Sequence, residues 1–502
     1  MNFNETYILN PAYYLRNDVH RSIIGSFDYN KVDESTYDEF FSFIYPVNAQ
    51  ILSFFDGKNN LKKCIENISD FFQLSFEEVC KIIEKYIENK ESMVLKHNGN
   101  NISLPRNVLV KKRDLISRET YSPQDFLPES NTNIDLKSVR LFKPIRAVFE
   151  LTFKCYTDCI YCYADRSRQH DSSFLSLEEI KSIIKQAKQC GLTDMDINGG
   201  EVLLHPNYKE ILKELADNGF YPLISTKMPL NKEVLEYIKE IGFLNIQISL
   251  DSLNENTLVE ILKVKPGYKE KILNTLQLID EMGFNWQTNT ILTKANSSLE
   301  DEIKPLINHL LNYKNIKNIK VGPAGCSLYK SQEHFDQIKV IYSDVVKLRE
   351  FIEKTADENP HISISISEPD CETHFLPDEK EKIFSQRSMC TANQRTFIIL
   401  PDGKVTICEE LYWHPKFIIG DLRKQSILDI WNSDKAVKLF YIQNEMISDD
   451  SVCKLCGDFS ACRHHKGVCW KVILMAYGKE KWDYPDPRCP KAQKPEYPFY
   501  IS

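Results

Sequence analysis

From Ile145 to Gly322 the chain repeats one pattern: a short apolar run, a loop, then a longer amphipathic segment. The runs are IRAVFEL, MDING, YPLIST, NIQISL, NWQTNTIL and NIKVG, and segments such as LEEIKSIIKQAKQCG and YKEKILNTLQLIDEMG lie between them. Parallel strand neighbours need a crossover, usually a helix, so this alternation predicts a parallel sheet covered by helices. Several of the amphipathic segments end at glycine, which accepts the left-handed conformation that closes a helix. The expected fold class is α/β, an open sheet or partial (β/α)6 barrel over residues 144–345. In such sheets chemistry collects at the carboxyl ends of the strands.

The flanks read differently. Residues 11–26 read as a strand or hairpin, and three helical segments follow: PVNAQILSFF, NLKKCIENISDFF and FEEVCKIIEKYIEN. MVLKHNGNNISL then predicts a second hairpin around an Asn-Gly turn. Residues 1–104 are therefore expected to form a small α+β, winged-helix-like domain, with 105–143 as a polar, proline-bearing linker. Residues 346–375 read as a connector, and 376–502 as a Cys-rich domain stapled by metal.

Acidic side chains outnumber basic ones, 71 to 63, which gives no global attraction to nucleic acid or to an anionic membrane. The start lacks the basic segment and apolar run of a signal peptide, and cytoplasm is the expected compartment. In that compartment 15 cysteines do not form a disulfide framework. Cys64, Cys80, Cys190 and Cys326 are scattered and read as small buried hydrophobes. The others fall at 155–162 and 371–489, and clustered thiols in a reducing compartment mean metal.

FELTFKCYTDCIYCYADRS places Cys155, Cys159 and Cys162 directly after the first strand of the repeat. A structural zinc site closes with four ligands, whereas three cysteines on a cubane leave one iron open. A zinc knuckle completed by a distant residue is the other reading. The spacing Cys-x3-Cys-x2-Cys, with Tyr161 before the last cysteine, resembles the signature of the radical S-adenosylmethionine (SAM) superfamily. Four further segments extend the resemblance in order. NGGE, with Gly199, Gly200 and Glu201, is similar to the motif that binds the SAM amino group. LISTKMPL is similar to the family's Ser-Thr-Asn-Gly segment at Ser225 and Thr226, but has Lys227 and Met228 in place of Asn and Gly. ISLDS would bring Ser249 and Asp251 near the ribose or the methionine carboxylate, and TNT would add a contact through Asn289. The resemblance implies SAM held on an iron–sulfur cluster, reductive cleavage to a 5′-deoxyadenosyl radical, and hydrogen abstraction from a C–H bond. The cofactor supplies that chemistry and the protein positions it.

The tail resembles the SPASM extension of radical SAM peptide maturases, in the order Cys390, Gly403-x4-Cys408, Cys453-x2-Cys456-x5-Cys462, Cys469 and Cys489. Cys469 follows after six residues where three are usual. By that resemblance Cys453, Cys456, Cys462 and Cys489 hold one auxiliary 4Fe-4S cluster. Cys390, Cys408 and Cys469 hold another, with Cys371, His464, His465 or a substrate thiol as candidate fourth ligand. Cys-x2-Cys alone also serves zinc, so a zinc-stapled peptide-binding protein is the alternative from another class. NAQILSFFDGKNNLKKCIENI resembles the leader-recognition element of ribosomal-peptide maturases, in which a leader adds as a strand to a sheet edge. Together these imply three 4Fe-4S clusters, SAM, a precursor peptide with a leader, and an electron donor such as flavodoxin or ferredoxin. The expected reaction is radical modification of that precursor, first of all Cys thioether crosslinking. Carbon–carbon crosslinking or epimerisation is the alternative outcome.

Overall fold

The computed structural model describes residues 1–26, 40–87, 89–97, 100–113, 120–128, 134–165, 174–367, 371–372 and 377–501. The chain divides into two units, Met1–Lys143 and Pro144–Ser502.

In the first unit β1 spans Tyr7–Leu9, β2 Tyr13–Asp18, β3 Arg21–Ser26 and β4 Phe41–Ile44. β2, β3 and β4 form an antiparallel sheet, so the expected hairpin over 11–26 is present. Helices follow at Pro46–Ser53, Leu61–Phe72 and Phe76–Ile83. The second starts at Asn60, whose side chain accepts from Lys63 N, and buries Leu61, Cys64, Ile65 and Ile68. The third starts in a capping box of Ser75 and Glu78. β5 (Met93–His97) and β6 (Asn100–Leu104) pair as a hairpin, whose expected Asn-Gly turn lies outside the described residues.

Residues 105–143 do not behave as a linker where they are described. β7 (Leu109–Lys111) pairs antiparallel with β1, and Phe126 is buried in this unit's core. Arg21, itself buried against Asp18 at 2.9 Å, donates to the carbonyls of Asp135 and Arg140, while Asp18 accepts from the amides of Phe142 and Lys143. The segment is held by its backbone, which side-chain composition does not reveal.

The second unit opens with the predicted strands: β8 (Arg146–Thr152), β9 (Asp194–Gly199), β10 (Ile224–Thr226), β11 (Asn245–Ser249), β12 (Asn285–Leu292) and β13 (Ile316–Pro323). A seventh parallel strand, β14 (Ser363–Ile366), joins β13 after a helix at Tyr342–Glu358, within the segment expected to be a connector. That helix buries Val345, Leu348 and Ile352, so it belongs to the barrel's outer layer. β15 (Cys371–Glu372) follows; then β16 (Thr396–Ile399), β17 (Lys404–Thr406) and β18 (Ile418–Asp421) lead to β19 (Tyr500–Ile501), which pairs with β15. Among the described residues this unit has two five-stranded ladders, β10-β11-β12-β13-β14 and β9-β8-β16-β17-β18. β16 lies parallel beside β8, so the first strands of the Cys-rich tail extend the barrel sheet itself. This is the expected α/β architecture, a partial barrel with an α+β region before it and a Cys-rich region after it.

Strand alternation separates two environments. Ile246, Ile248, Trp286, Ile319 and Val321 are buried in the apolar core. The intervening residues are polar: Gln247 donates to Ser225 at 2.8 Å, and Gln287 donates to Gln247 at 2.6 Å, across neighbouring strands. Among the described residues no helix is long and apolar enough to cross a membrane.

Candidate active site

The loop after β8 carries Cys155, Cys159 and Cys162 at the carboxyl end of the strand. Its backbone is fixed from two sides. Asp158 N and Ile160 N donate to the carbonyls of Leu262 and Ile261, both at 2.9 Å. Gly200 N donates to Thr152 O at 2.6 Å, and Glu201 N to Lys154 O at 2.7 Å. A Cβ on Gly200 would lie 1.8 Å from Lys154 O, and one on Gly199 2.4 Å from Thr152 O. Gly199 also has φ +117°, which side chains rarely adopt. The Gly-Gly pair is thus required for the sequence motif to lie flat on the cysteine loop.

Thr157 Oγ1 links the first two thiols, 3.7 Å from Cys155 Sγ and 3.1 Å from Cys159 Sγ. Burial pushes the Cys159 thiol up to about 11, the Lys227 charge pulls it down and Cys162 pushes it further up. Three thiols on one loop, beside a cradle open only to glycine, fit a cluster with three protein ligands. Among the described residues no three His, Cys, Asp or Glu groups close round a single point as one metal ion requires.

β9 and β10 share no ladder, and a side-chain bond spans the gap: Thr226 Oγ1 donates to Glu201 Oε2 at 2.6 Å. Burial raises the Glu201 carboxyl, opposed by that hydroxyl and by the amides of Leu203 and Lys227. Asp251 is fully buried and committed inside the protein. Its Oδ1 accepts from Ile291 N at 2.7 Å, and its Oδ2 from Tyr161 Oη at 2.5 Å, with Lys227 Nζ at 3.8 Å. Asp251 and Tyr161 therefore tie the cysteine loop to β12. Ser249 is buried at the end of β11 opposite Asn289, while Ser225 is exposed and accepts from Gln247.

The tail cysteines gather as two groups. Burial raises the Cys462 thiol, Arg387 and Arg463 lower it, and Cys489 and Cys453 raise it; Cys489 in turn feels Cys453 and Cys456. Burial pushes Cys469 up to about 11, with Cys390 adding to it, and Cys408 is raised by burial and by Cys469. Cys390 shares a cavity with Arg463 and Trp470, and Arg463 Nη1 and Trp470 Nε1 are buried there without hydrogen-bond partners. Orphaned donors beside thiols fit a bound group rich in acceptors, such as a sulfide cluster.

Of the candidate fourth ligands, His464 has both ring nitrogens engaged, with Ser460 at 3.0 Å and Ile442 O at 2.8 Å, while His465 is exposed. Cys371 lies on β15 opposite Ile501, and its side chain is outside the described residues. Of the scattered thiols, Cys64 and Cys326 are buried as expected, whereas Cys80 and Cys190 are half-buried.

Sequence reading missed Tyr163 and Glu409, each the residue after a thiol. Tyr163 Oη donates to Glu409 Oε2 at 2.9 Å, and Asn198 Nδ2 donates to the same oxygen at 3.3 Å. A small cleft opens here, lined by Cys155, Cys162, Gly200, Glu409 and Tyr412. Adjacency to Cys408 was the only signal available for Glu409.

Residues 149–309 match the radical SAM superfamily, and residues 390–458 match the SPASM iron–sulfur cluster-binding domain. The chain is 24% identical over 311 residues to the sporulation killing factor maturation protein SkfB of Bacillus subtilis (strain 168), covering 60% of this chain and 68% of that protein. It is also 24% identical over 346 residues to the antilisterial bacteriocin subtilosin biosynthesis protein AlbA of the same strain, covering 65% and 70%. Streptococcus suis SuiB, in its structure bound to precursor peptide SuiA, has a TM-score of 0.62 at 15% identity, covering 96% of this chain and 99% of that one. At that identity the likeness is one of fold. Motifs, strand order and cysteine loop agree with the two domain matches, and the chain carries a radical SAM domain at residues 149–309 and a SPASM domain at residues 390–458.

Proposed function

We propose that this protein modifies a ribosomally made precursor peptide, forming thioether bonds from Cys sulfur to carbon. One contact carries the reading: Tyr163, the residue after Cys162, touches Glu409, the residue after Cys408, so the barrel's cysteine loop and the loop that follows the tail's Cys408 meet at one cleft. A peptide in that cleft would meet the barrel site and the first tail group together. SkfB and AlbA, named for peptide maturation and bacteriocin biosynthesis, and SuiB, solved with a precursor peptide, support the substrate class.

In this reading Cys155, Cys159 and Cys162 hold the first cluster, and Glu201, with Ser249 and Asn289, faces SAM. SAM on a reduced cluster supplies a carbon radical able to take hydrogen from an inert C–H bond. The chain's own work is to hold that site dry and oriented. Tyr161 and Asp251 fix the loop, Gly199 and Gly200 let the cofactor site approach it, and Tyr163 with Asn198 aims Glu409 into the cleft. Cys453, Cys456, Cys462 and Cys489 hold one auxiliary cluster. Cys390, Cys408 and Cys469 hold the other and leave a position for a substrate thiol or Cys371. Residues 1–143 bind the leader, flavodoxin or ferredoxin supplies electrons, and the protein works in the cytoplasm without nucleic acid or membrane.

The test is anaerobic turnover of the reconstituted enzyme with a Cys-bearing precursor. Thioether formation removes one H2 per bond and blocks the thiol to alkylation. A product that loses H2 but keeps its thiols would point to carbon–carbon crosslinking, and one of unchanged mass to epimerisation. Deleting residues 1–143 should spare SAM cleavage and end peptide modification; normal modification by the truncated enzyme would sink the leader-binding role.

A further inference from the structure

Two arginines distinguish the second tail group from the first. Arg387 Nη2 donates to Cys462 Sγ at 3.4 Å, and Arg463 Nη2 donates to Cys453 Sγ at 3.6 Å. Neither guanidinium is a drifting surface charge. Arg387 is half-buried, bonded to Gly467 O at 3.1 Å and packed 3.8 Å over the Phe384 ring. Arg463 is 5% exposed and donates to Tyr484 O at 2.6 Å, with its Nη1 buried and lacking a partner.

The other group has different neighbours. Glu409 and Glu410 stand beside Cys408, with Glu410 paired to Lys471 at 2.7 Å, while Asp486 acts on Cys469 and also on Cys489 of the second group. Arg488, which acts on Cys469, is committed to Asp486 at 2.7 Å. Arg463 also lines the cavity of Cys390, so it lies between the groups, but its sulfur bond goes to Cys453.

We infer that Arg387 and Arg463 hold the cluster of Cys453, Cys456, Cys462 and Cys489 at a higher reduction potential than that of Cys390, Cys408 and Cys469. The inference rests on the three-cluster reading proposed above. Reduction adds one negative charge to a cluster, and N–H donors and cations at its sulfurs stabilise that charge. Carboxylates beside a cluster do the reverse, and burial strengthens both effects. An electron on the first auxiliary cluster then runs downhill to the second. The donor goes from the 1+ to the 2+ state and the acceptor from 2+ to 1+, with no proton or bond exchanged. Leu455, 92% exposed between Cys453 and Cys456, puts that loop at the surface, where a one-electron carrier can collect the charge.

The experiment is a reductive titration of the full-length, reconstituted protein followed by electron paramagnetic resonance, with iron and sulfide counted first. Cys390→Ala isolates the second auxiliary cluster, and Cys489→Ala the first; the midpoint is expected to be higher in Cys390→Ala. Arg387→Gln should lower the reduction equilibrium constant of the second cluster about tenfold, or about 59 mV for one electron. Arg387→Lys, which keeps the charge and loses the fork, should shift it less. Equal or reversed midpoints in the two cysteine variants overturn the inference, as does an unmoved midpoint in an Arg387→Gln protein that keeps its iron. If Arg387→Gln loses iron, Arg387→Lys decides, a lowered potential supporting the inference and an unchanged one refuting it. About four irons per chain in the unsubstituted protein, one cubane's worth, would instead remove both auxiliary clusters and the reading beneath.

Discussion

The barrel's cysteines and the tail's cysteines are held by different means. Cys155, Cys159 and Cys162 sit on one loop, bonded through its backbone to Ile261, Leu262, Gly200 and Glu201, and backed by the main apolar core. The tail's thiols are spread from Cys390 to Cys489. Part of that tail shares the barrel's core, since Phe397, Val405, Phe417, Ile430 and Trp431 pack into it. Beyond Phe440 the packing is mainly in small clusters, Ile442, Ile447 and Phe459 in one, and Val468, Val472, Ile473 and Tyr477 in another, with Leu474 reaching the main core and Trp470 and Trp482 packed against it. So small a core does not hold a fold alone, and in the proposed reading metal supplies the missing cross-links. The barrel site is built by the fold; the far tail, in that reading, is built with its metal.

Substituting a ligand in the preformed site probes chemistry without folding. Cys155→Ala should abolish SAM cleavage, with 5′-deoxyadenosine falling to background, while about eight irons remain per chain in the auxiliary sites. Hydrogen exchange across β8 to β13 should not change. If the barrel instead lost its protection, the loop would depend on metal as the tail does, and the contrast would fail.

Removing all metal by anaerobic chelation should split the tail in two. Residues 442–499 should exchange about a thousandfold faster, about 4 kcal/mol of local stability, as expected of a small metal-built domain. Residues 396–439 should stay protected with the barrel. Uniform loss across 396–499 would mean the shared core with the barrel is weaker than its burial indicates.

Gly200→Ala attacks the clamp rather than a ligand. With Lys154 O only 1.8 Å from the new Cβ, the loop must move. The barrel cluster should then be lost on reconstitution, leaving about eight irons per chain, with the far tail's exchange unchanged. Full iron content would show that the loop tolerates displacement.

The same contrast explains what could be read from sequence. The six barrel strands and the cysteine loop were legible because periodicity and ligand spacing are local properties of the chain. β14 was missed because Ser363–Ile366 is short and half polar, although the stripe Val345, Leu348 and Ile352 before it was available. The fold of residues 105–143 was hidden because Arg21 binds main-chain carbonyls there, which leave no mark on composition. Tyr163, Glu409, Arg387 and Arg463 act across the tertiary structure, and only their nearness to thiols in sequence set them apart. Lys227 was noticed as a departure from the family's motif, but its place beside Asp251 and over Tyr161 needed the fold.

The smallest expected effect tests a join in the barrel site that is made by side chains alone. Thr226→Val keeps shape and volume but removes the hydroxyl that reaches Glu201 across the gap between β9 and β10. Glu201 is 3% exposed, so losing one donor should cost about 1–3 kcal/mol. Part of that would appear as a roughly tenfold weaker SAM dissociation constant, about 1.4 kcal/mol. The loss should depend on pH with a defined sign. Burial already raises the Glu201 carboxyl and Thr226 opposes it, so the variant's carboxyl should titrate higher still. A protonated Glu201 cannot pair with an ammonium group. The affinity deficit should therefore be largest at low pH and shrink as pH rises through the new value. Equilibrium dialysis of SAM against the oxidised, reconstituted protein across that range would measure it. An affinity equal to that of the unsubstituted protein at every pH would show that Glu201 serves the loop alone and does not face the cofactor.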